Sequence, residues 1–409
     1  MNKNNMIVRK TLISLIVITL LYSSIQAVNG LNMNKDDINS DSPSASQQVY
    51  ITPQSISFDF ARLNWLPAGI AGGERVVFIG SPLEGKVKAL SRFMTRELGE
   101  LPPPPGGFVL PLIIEHLGQG RVSVLDAGGF PSPNPFIAAN PRIYDYEYSF
   151  DLKGGFSAKL VRTISFENVP IGFAEDFVVL DDGRYILSDA LLGSIWVVET
   201  DGTISPGIVP RTFNREDAIP QLTYCPTMPL IKVGGIPFLF TDSSLPGVSP
   251  LAVKGDNLYF YSPCAEGLYK VPLASLSDNR KPYERAEDIT LVSAKPRSVA
   301  VEQLMGLTFN RYVPSDNYLY AADSLQLRII RINVKDGKRE VVADNPGLFN
   351  FPSSMNFLPP VAGISPLLVV SNQQHRTPLT NDAITQDLLQ PPFRVAEVLL
   401  KLDNRREIK

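Results

Sequence analysis

Short apolar phrases that end on a polar residue recur along the chain, at Tyr185–Asp189, Leu258–Ser262, Leu319–Asp323 and Leu367–Asn372. Three of them lead, after a short polar loop, into a second apolar run at Ser194–Val198, Gly267–Val271 and Leu327–Ile332. The fourth needs a longer polar stretch before Phe393–Leu400 can supply that run. Strands also precede the phrases, as in Phe177–Leu180 ahead of Asp181, Asp182 and Gly183, and Leu251–Val253 ahead of the polar run Lys254–Asn257. Strand, polar turn, strand, loop, strand is the antiparallel unit of a propeller blade, with turn residues supplying the unusual backbone angles. An earlier unit reads Arg75–Gly80, a loop at Ser81–Gly85, then Lys86–Leu90; a weaker one joins Arg121–Asp126 to Arg142–Tyr146. Roughly six units at irregular spacing predict an all-β, six-bladed β-propeller of four-stranded antiparallel blades over residues 50–402, with surplus residues in loops or lids. A polar tail, 403–409, follows.

Ahead of this pattern, Lys3, Arg9 and Lys10 precede an apolar run, Thr11–Tyr22, and a stretch of small residues in which Ala27 is the best cleavage position. That is the layout of a secretory signal peptide over residues 1–27, and the run is shorter than the roughly 20 residues of a membrane-spanning helix. A flexible polar leader over 28–49 follows, so a secreted, extracellular protein with no stable membrane insertion is expected.

Composition fits one large domain. The 409-residue chain carries 35 prolines and 29 glycines, and its formal charge of −3 becomes more negative once the basic leader is removed. Such a balance recruits neither nucleic acid nor an anionic membrane. The Pro-rich Leu101–Gly107 reads as a surface turn between blades. Both cysteines, Cys225 in the long insertion Ser205–Pro246 and Cys264 in a loop between second and third strands, fall on the same face of the predicted propeller. In an oxidising compartment they are expected to form a disulfide that staples the insertion across the mouth.

Several phrases carry a resemblance. Arg121–Gly128 with Pro141–Tyr146, Ser249–Pro272, and Phe351–Met355 with Leu368–Arg376 resemble blade signatures of the major royal jelly and yellow protein family. That family lies within a wider clan of gluconolactonase-like and strictosidine-synthase-like propellers. The resemblance implies a secreted six-bladed propeller, with small-amine binding or melanin-precursor conversion among its members' roles. It also suggests where to look for chemistry. Gluconolactonase-like propellers hold a divalent cation with Glu, Asn and Asp at the starts of innermost strands, and here those starts read Glu175-Asp176, Ser249-Pro250, Met305-Gly306 and Ser353-Ser354. The first-blade position, Ser57–Asp59, offers Asp59 but no glutamate. A hydroxyl pair and a thioether make a poor cage for a hard cation, so no cofactor is expected, with a divalent cation such as calcium as the alternative.

Catalytic sets are sparse. The two histidines, His116 and His375, have no evident serine or cysteine partner, and no Gly-x-Ser-x-Gly elbow occurs. His116 reads as structural. His375 reads either as a surface residue or, with Asn372 and Gln373, as part of the loop-rich face. Asp189 and Asp323 read as loop-shaping groups at strand ends, and Tyr259, Tyr261 and Tyr320 as inter-blade packing. The candidate ligand-binding set is therefore Glu175, Asp176, Ser249, Met305, Ser353, Asn372, Gln373 and His375. The expected function is binding of a small, aromatic or amine-bearing molecule in the central funnel. Three alternatives stay open: metal-independent proton transfer by Glu175 in an isomerase, tautomerase or cyclising enzyme; a divalent-metal lactonase or esterase; and a protein-interaction role for the outer loops.

Overall fold

Successive side chains of a strand point to opposite faces, so a strand apolar at every position must be covered on both sides. This is the environment of the recurring phrases. All residues of the strands Tyr185–Asp189 and Pro366–Ser371 are buried. Tyr185 and Leu187 enter a core shared with the preceding blade, while Ile186 enters a core shared with the following one. Further cores fill the other blade junctions in the same way. Tyr259 meets Phe309 edge-on with ring centroids 5.1 Å apart, and Tyr320 meets Phe357 at 5.0 Å, so these aromatics join neighbouring blades.

The structure, a computed structural model, describes Tyr50, Ile51 and residues 55–400 apart from 94–95, 130–139, 152–153, 213–216, 223–228, 240–246, 264, 298–300 and 362–363. Ala27, Cys225 and Cys264 lie outside the described residues. The described strands form a six-bladed propeller of four-stranded antiparallel blades. The innermost strands are Ile70–Gly72, Pro111–Gly118, Ala174–Val179, Leu251–Lys254, Leu304–Phe309 and Pro352–Phe357, for blades one to six. The Pro-rich turn connects blades one and two, and its Pro102 carbonyl accepts a bond from Tyr146 Oη at 2.9 Å.

Blade six closes the ring with both ends of the chain. Its first three strands, Pro352–Phe357, Pro366–Ser371 and Phe393–Leu400, come from the C-terminal end, and its fourth, Ser55–Leu63, from the N-terminal end. Ser57–Asp59 therefore lies in the outer part of blade six, with Tyr50–Ile51 paired beyond it, and not at the inner start of blade one. Asp59 lies far from the axis, held by Arg62 and Arg394 at 2.8 Å each. The ring depends on this strand, which buries Phe60, Ala61 and Leu63 against blade one and pairs with Phe393–Leu400 along its length. Truncation through Leu63 should remove about 5 kcal/mol of apolar burial in addition to the ladder, which approaches a domain's whole stability. The expected result is loss of the cooperative thermal transition followed by circular dichroism; a truncated chain melting like the full one would refute closure by this strand.

Candidate functional site

Four innermost strands open with the same irregularity. The pairing register shifts between Pro111 and Ile113, Ala174 and Asp176, Leu304 and Leu307, and Pro352 and Ser354. A bulge inserts a residue and re-aims its side chain. The inserted positions are Leu112, Glu175, Met305-Gly306 and Ser353, at the mouth of the axial funnel. The bulge at Glu175 also explains how two adjacent acids avoid sharing one fate. Asp176 turns onto the backbone, accepting from Leu251 N at 2.7 Å and Phe177 N at 2.8 Å, so it joins blade three to blade four. Glu175 faces the mouth beside Ser249, whose side chain partly offsets the effect of burial on its carboxyl.

Glu175, Ser249 and Met305 share the wall of one pocket with Gln303, Leu304 and Pro263. Three of the expected residues are thus brought together. Phe351, Phe238, Gln374 and Thr380 complete the enclosure. The cavity volume is about 60 Å³, space for roughly four water molecules at about 15 Å³ each.

The roof comes from two segments. One is the hairpin Ile231–Val233 and Ile236–Phe238, within the long insertion between blades three and four. Its turn residues Gly234 and Gly235 have φ of 54° and 84°, the doubly left-handed turn that glycine allows. The hairpin crosses the mouth to pack on Leu325, Leu327 and Phe351 of blades five and six. The described hairpin of the insertion therefore lies over the mouth, held there by packing and hydrogen bonds among the described residues. The second segment is the loop 372–390 of blade six. Gln373 pins its ends, donating from Nε2 to Gln390 O at 2.8 Å and accepting from Gln390 N at 2.9 Å, so its amide is used internally. Asn372 Oδ1 accepts from Gln374 N at 3.3 Å. Of the expected loop residues, then, neither Asn372 nor Gln373 lines the pocket; Gln374 does.

His375 is not a surface histidine. It is completely buried, stacked on Phe351 with centroids 5.4 Å apart, and neither ring nitrogen has a partner among the described residues. Phe351 itself has a left-handed backbone (φ 65°), uncommon for a bulky residue, which sets its ring beside both His375 and Phe238. His116 lies elsewhere, bonded to Tyr148 Oη at 2.6 Å with Nδ1 accepting from Gly118 N, a structural role. Ser353 Oγ is buried without a partner among the described residues, and Ser353 is outside the pocket wall. Asp189 shapes its loop as anticipated, whereas Asp323 pairs with Arg328 at 2.8 Å.

Burial dominates the electrostatics. It pushes the carboxyls of Glu115, Glu175 and Glu397 up to about 7, and raises Asp176 well above the ordinary aspartate range. It lowers His116 and His375 to about 4. A raised carboxyl contributes stability that is present below its unfolded pKa and lost as pH rises through about 7. A depressed histidine contributes stability that is present above about 6.5 and lost as pH falls toward 4. Each such shift corresponds to about 3 kcal/mol, and the two sets oppose one another over nearly the same window. Because the carboxyls outnumber the histidines, stability should fall as pH rises from 5 to 7.5. Urea denaturation across that range tests this, and a midpoint that increases with pH would show that these carboxyls fold ionised.

Among the described residues no group of three or more His, Cys, Asp or Glu side chains is placed to hold a metal ion. The donors at the mouth are one carboxylate, hydroxyls, amides and a thioether, which do not fit a hard cation seeking six or more oxygens.

Comparison places the architecture among known propellers. The chain is similar to a calcium-binding regucalcin from Agrobacterium tumefaciens, with 15% identity, a TM-score of 0.50, and coverage of 83% of this chain and 92% of that one. It is similar to a luciferin-regenerating enzyme, with 12% identity, a TM-score of 0.51, and coverage of 85% and 97%. A gluconolactonase from Xanthomonas campestris aligns with 13% identity, a TM-score of 0.49, and coverage of 85% and 90%. No family model and no curated protein matches the chain. At these identities the likeness is one of fold, and the class so defined is the six-bladed propeller. The narrower royal jelly and yellow family is not shown by these comparisons.

Proposed function

We propose that this protein binds a small molecule through a protonated amine at the funnel mouth, with Glu175 as the counter-ion. The observation that carries this reading is that Glu175 is the one ionisable side chain among the described residues of the pocket wall, set among Phe238, Phe351, Leu304 and Met305. A cation removed from water needs a paired carboxylate, and aromatic and aliphatic walls take the rest of an organic ligand. Gln303 Oε1, buried and without a partner among the described residues, supplies a second acceptor for a group with three N–H donors. The resemblance of the blade phrases to the royal jelly and yellow family supports the same ligand class. The leader supports secretion, and the placement of the cysteines in the blade pattern supports a Cys225–Cys264 disulfide. Intact mass of the mature, unreduced protein tests both.

Calorimetry at pH 8 with phenethylamine and phenethyl alcohol, which differ in the charged group, tests the amine reading. Saturable binding of the amine alone is expected; equal binding of both, or of neither, refutes it. A second reading is favoured by the Glu175 carboxyl titrating at about 7, where it can both accept and return a proton. This is metal-independent tautomerisation or ring closure. Turnover of a bound amine that is lost in Glu175→Gln would move the assignment to that reading.

A further inference from the structure

A cavity of about 60 Å³ takes an ammonium group and little more, so the body of an organic ligand has to engage the segments that roof it. The inner strands of the propeller are fixed by ladders and blade-junction cores; the roof rests on a smaller core of Val233, Phe238, Leu325, Leu327 and Phe351. It consists of two loop-borne segments whose polar contact centres on one side chain. Asn381, fully buried, donates from Nδ2 to Pro237 O at 2.8 Å and to His375 O at 2.7 Å, and accepts at Oδ1 from Leu239 N and Ala383 N at 3.0 Å each. Asp382 N adds a bond to Leu239 O at 2.9 Å.

We propose that the hairpin Ile231–Phe238 and the loop 372–390 form a lid over the pocket, latched shut by Asn381 and released when the imidazole of His375 takes up a proton. In the closed lid the imidazole is stacked on Phe351 beneath the hairpin turn, and neither nitrogen meets a hydrogen-bond partner among the described residues. An imidazolium has two N–H donors that such a site leaves unsatisfied. The charged group that the imidazole feels is Arg376 on its own segment, which disfavours the charged form further. Gly234 of the hairpin and Phe351 of blade six bring no charge. With the lid raised, the ring is hydrated and returns toward its ordinary pKa of 6.5 from about 4. Acid therefore favours the open state.

Glu175 acts in the opposite sense, because opening relieves a carboxyl that burial holds at about 7. Glu175 belongs to the propeller wall and His375 rides on the lid, so the larger change of surroundings on opening is that of His375. The lid does not depend on which molecule the pocket takes, and it is tested without ligand.

The measurement is amide hydrogen exchange of the full-length protein at pH 7.5 and pH 5, corrected for intrinsic rates. Protection of 231–239 and 372–384 is expected to fall at pH 5, by up to about 30-fold less the opposing effect of Glu175, while the strand Pro366–Ser371 keeps its protection. His375→Phe should abolish the pH-dependent part, and Glu175→Gln should enlarge it. Asn381→Ala should lower protection of both segments at both pH values, a result that stands even if His375→Phe does not fold. Constant protection between pH 7.5 and 5, the same acid response in His375→Phe, or unchanged protection in Asn381→Ala would each overturn the proposal.

Discussion

Replacing Glu175 by glutamine should weaken binding of a small amine about 100-fold at pH 8, because it removes a charge-assisted bond worth roughly 3 kcal/mol in a dry site. The replacement is nearly isosteric, so the pocket and its Ser249 contact keep their shape. The pH profile makes the experiment specific. In the unaltered protein the carboxyl titrates at about 7, so affinity for a cation should rise about tenfold per pH unit below that value and level off above it. In Glu175→Gln the profile should be flat between pH 5 and 8. Calorimetric titrations across that range settle the matter. A sloping profile in the variant would assign the titration to another group, and an unchanged affinity would remove Glu175 from the site.

Asp189→Ala should have the largest effect on stability of any single substitution in the propeller core. Asp189 is completely buried at the end of a blade-three strand. Its Oδ1 accepts from the backbone N–H groups of Phe173, Leu191 and Leu192 at 3.0 Å each, and its Oδ2 accepts from Gly172 N at 2.9 Å and Ser194 Oγ at 3.3 Å. Alanine leaves one buried and three part-buried backbone donors without their acceptor, at about 1–3 kcal/mol for the buried one and less for the others, so a loss approaching about 5 kcal/mol is expected. That is comparable to the whole stability of many domains. Asparagine keeps one acceptor oxygen and should recover part of the loss. Denaturant midpoints of the two variants check this, and an alanine variant within about 1 kcal/mol of the parent would mean that water replaces the carboxylate without cost.

Asp189 also shows how much of the molecule could be read in advance. The signal was an aspartate at the end of an all-apolar phrase, and the same phrase predicts a strand covered on both faces. Local patterning of this kind reaches only as far as its own strand. Asp59 occupies a strand of similar appearance, yet it belongs to the outer part of blade six, because the N-terminal strand is recruited by Phe393–Leu400 more than 300 residues away. The inner strand of blade one, Ile70–Gly72, has three residues, too few to show an alternation, so it left no pattern to find.

The pocket divides in the same way. Glu175, Ser249 and Met305 were legible because each begins an innermost strand or immediately precedes one, and strand starts in a propeller meet at the axis. Phe351, Gln303 and Gln374 were not, since they lie just outside strands, where small changes of backbone angle redirect a side chain. Phe238 had a readable signal, the Gly234-Gly235 pair between alternating apolar residues, but that predicts a hairpin without saying where it lands.

By itself, then, the chain's pattern of apolar and polar positions determined the propeller of roughly six blades, the burial of their second strands, and the pair of adjacent acids, Glu175 and Asp176, at one innermost start; that only Glu175 walls the pocket was decided by the bulge that turns Asp176 onto the backbone. The first three properties depend on side-chain period and residue type, which are local. Only the tertiary structure decided which strand closes the ring, that His375 is buried and not exposed, and that a hairpin from between blades three and four roofs a pocket walled by blades three to six. These depend on contacts between segments far apart in sequence, where burial across the mouth, and not local pattern, selects the conformation.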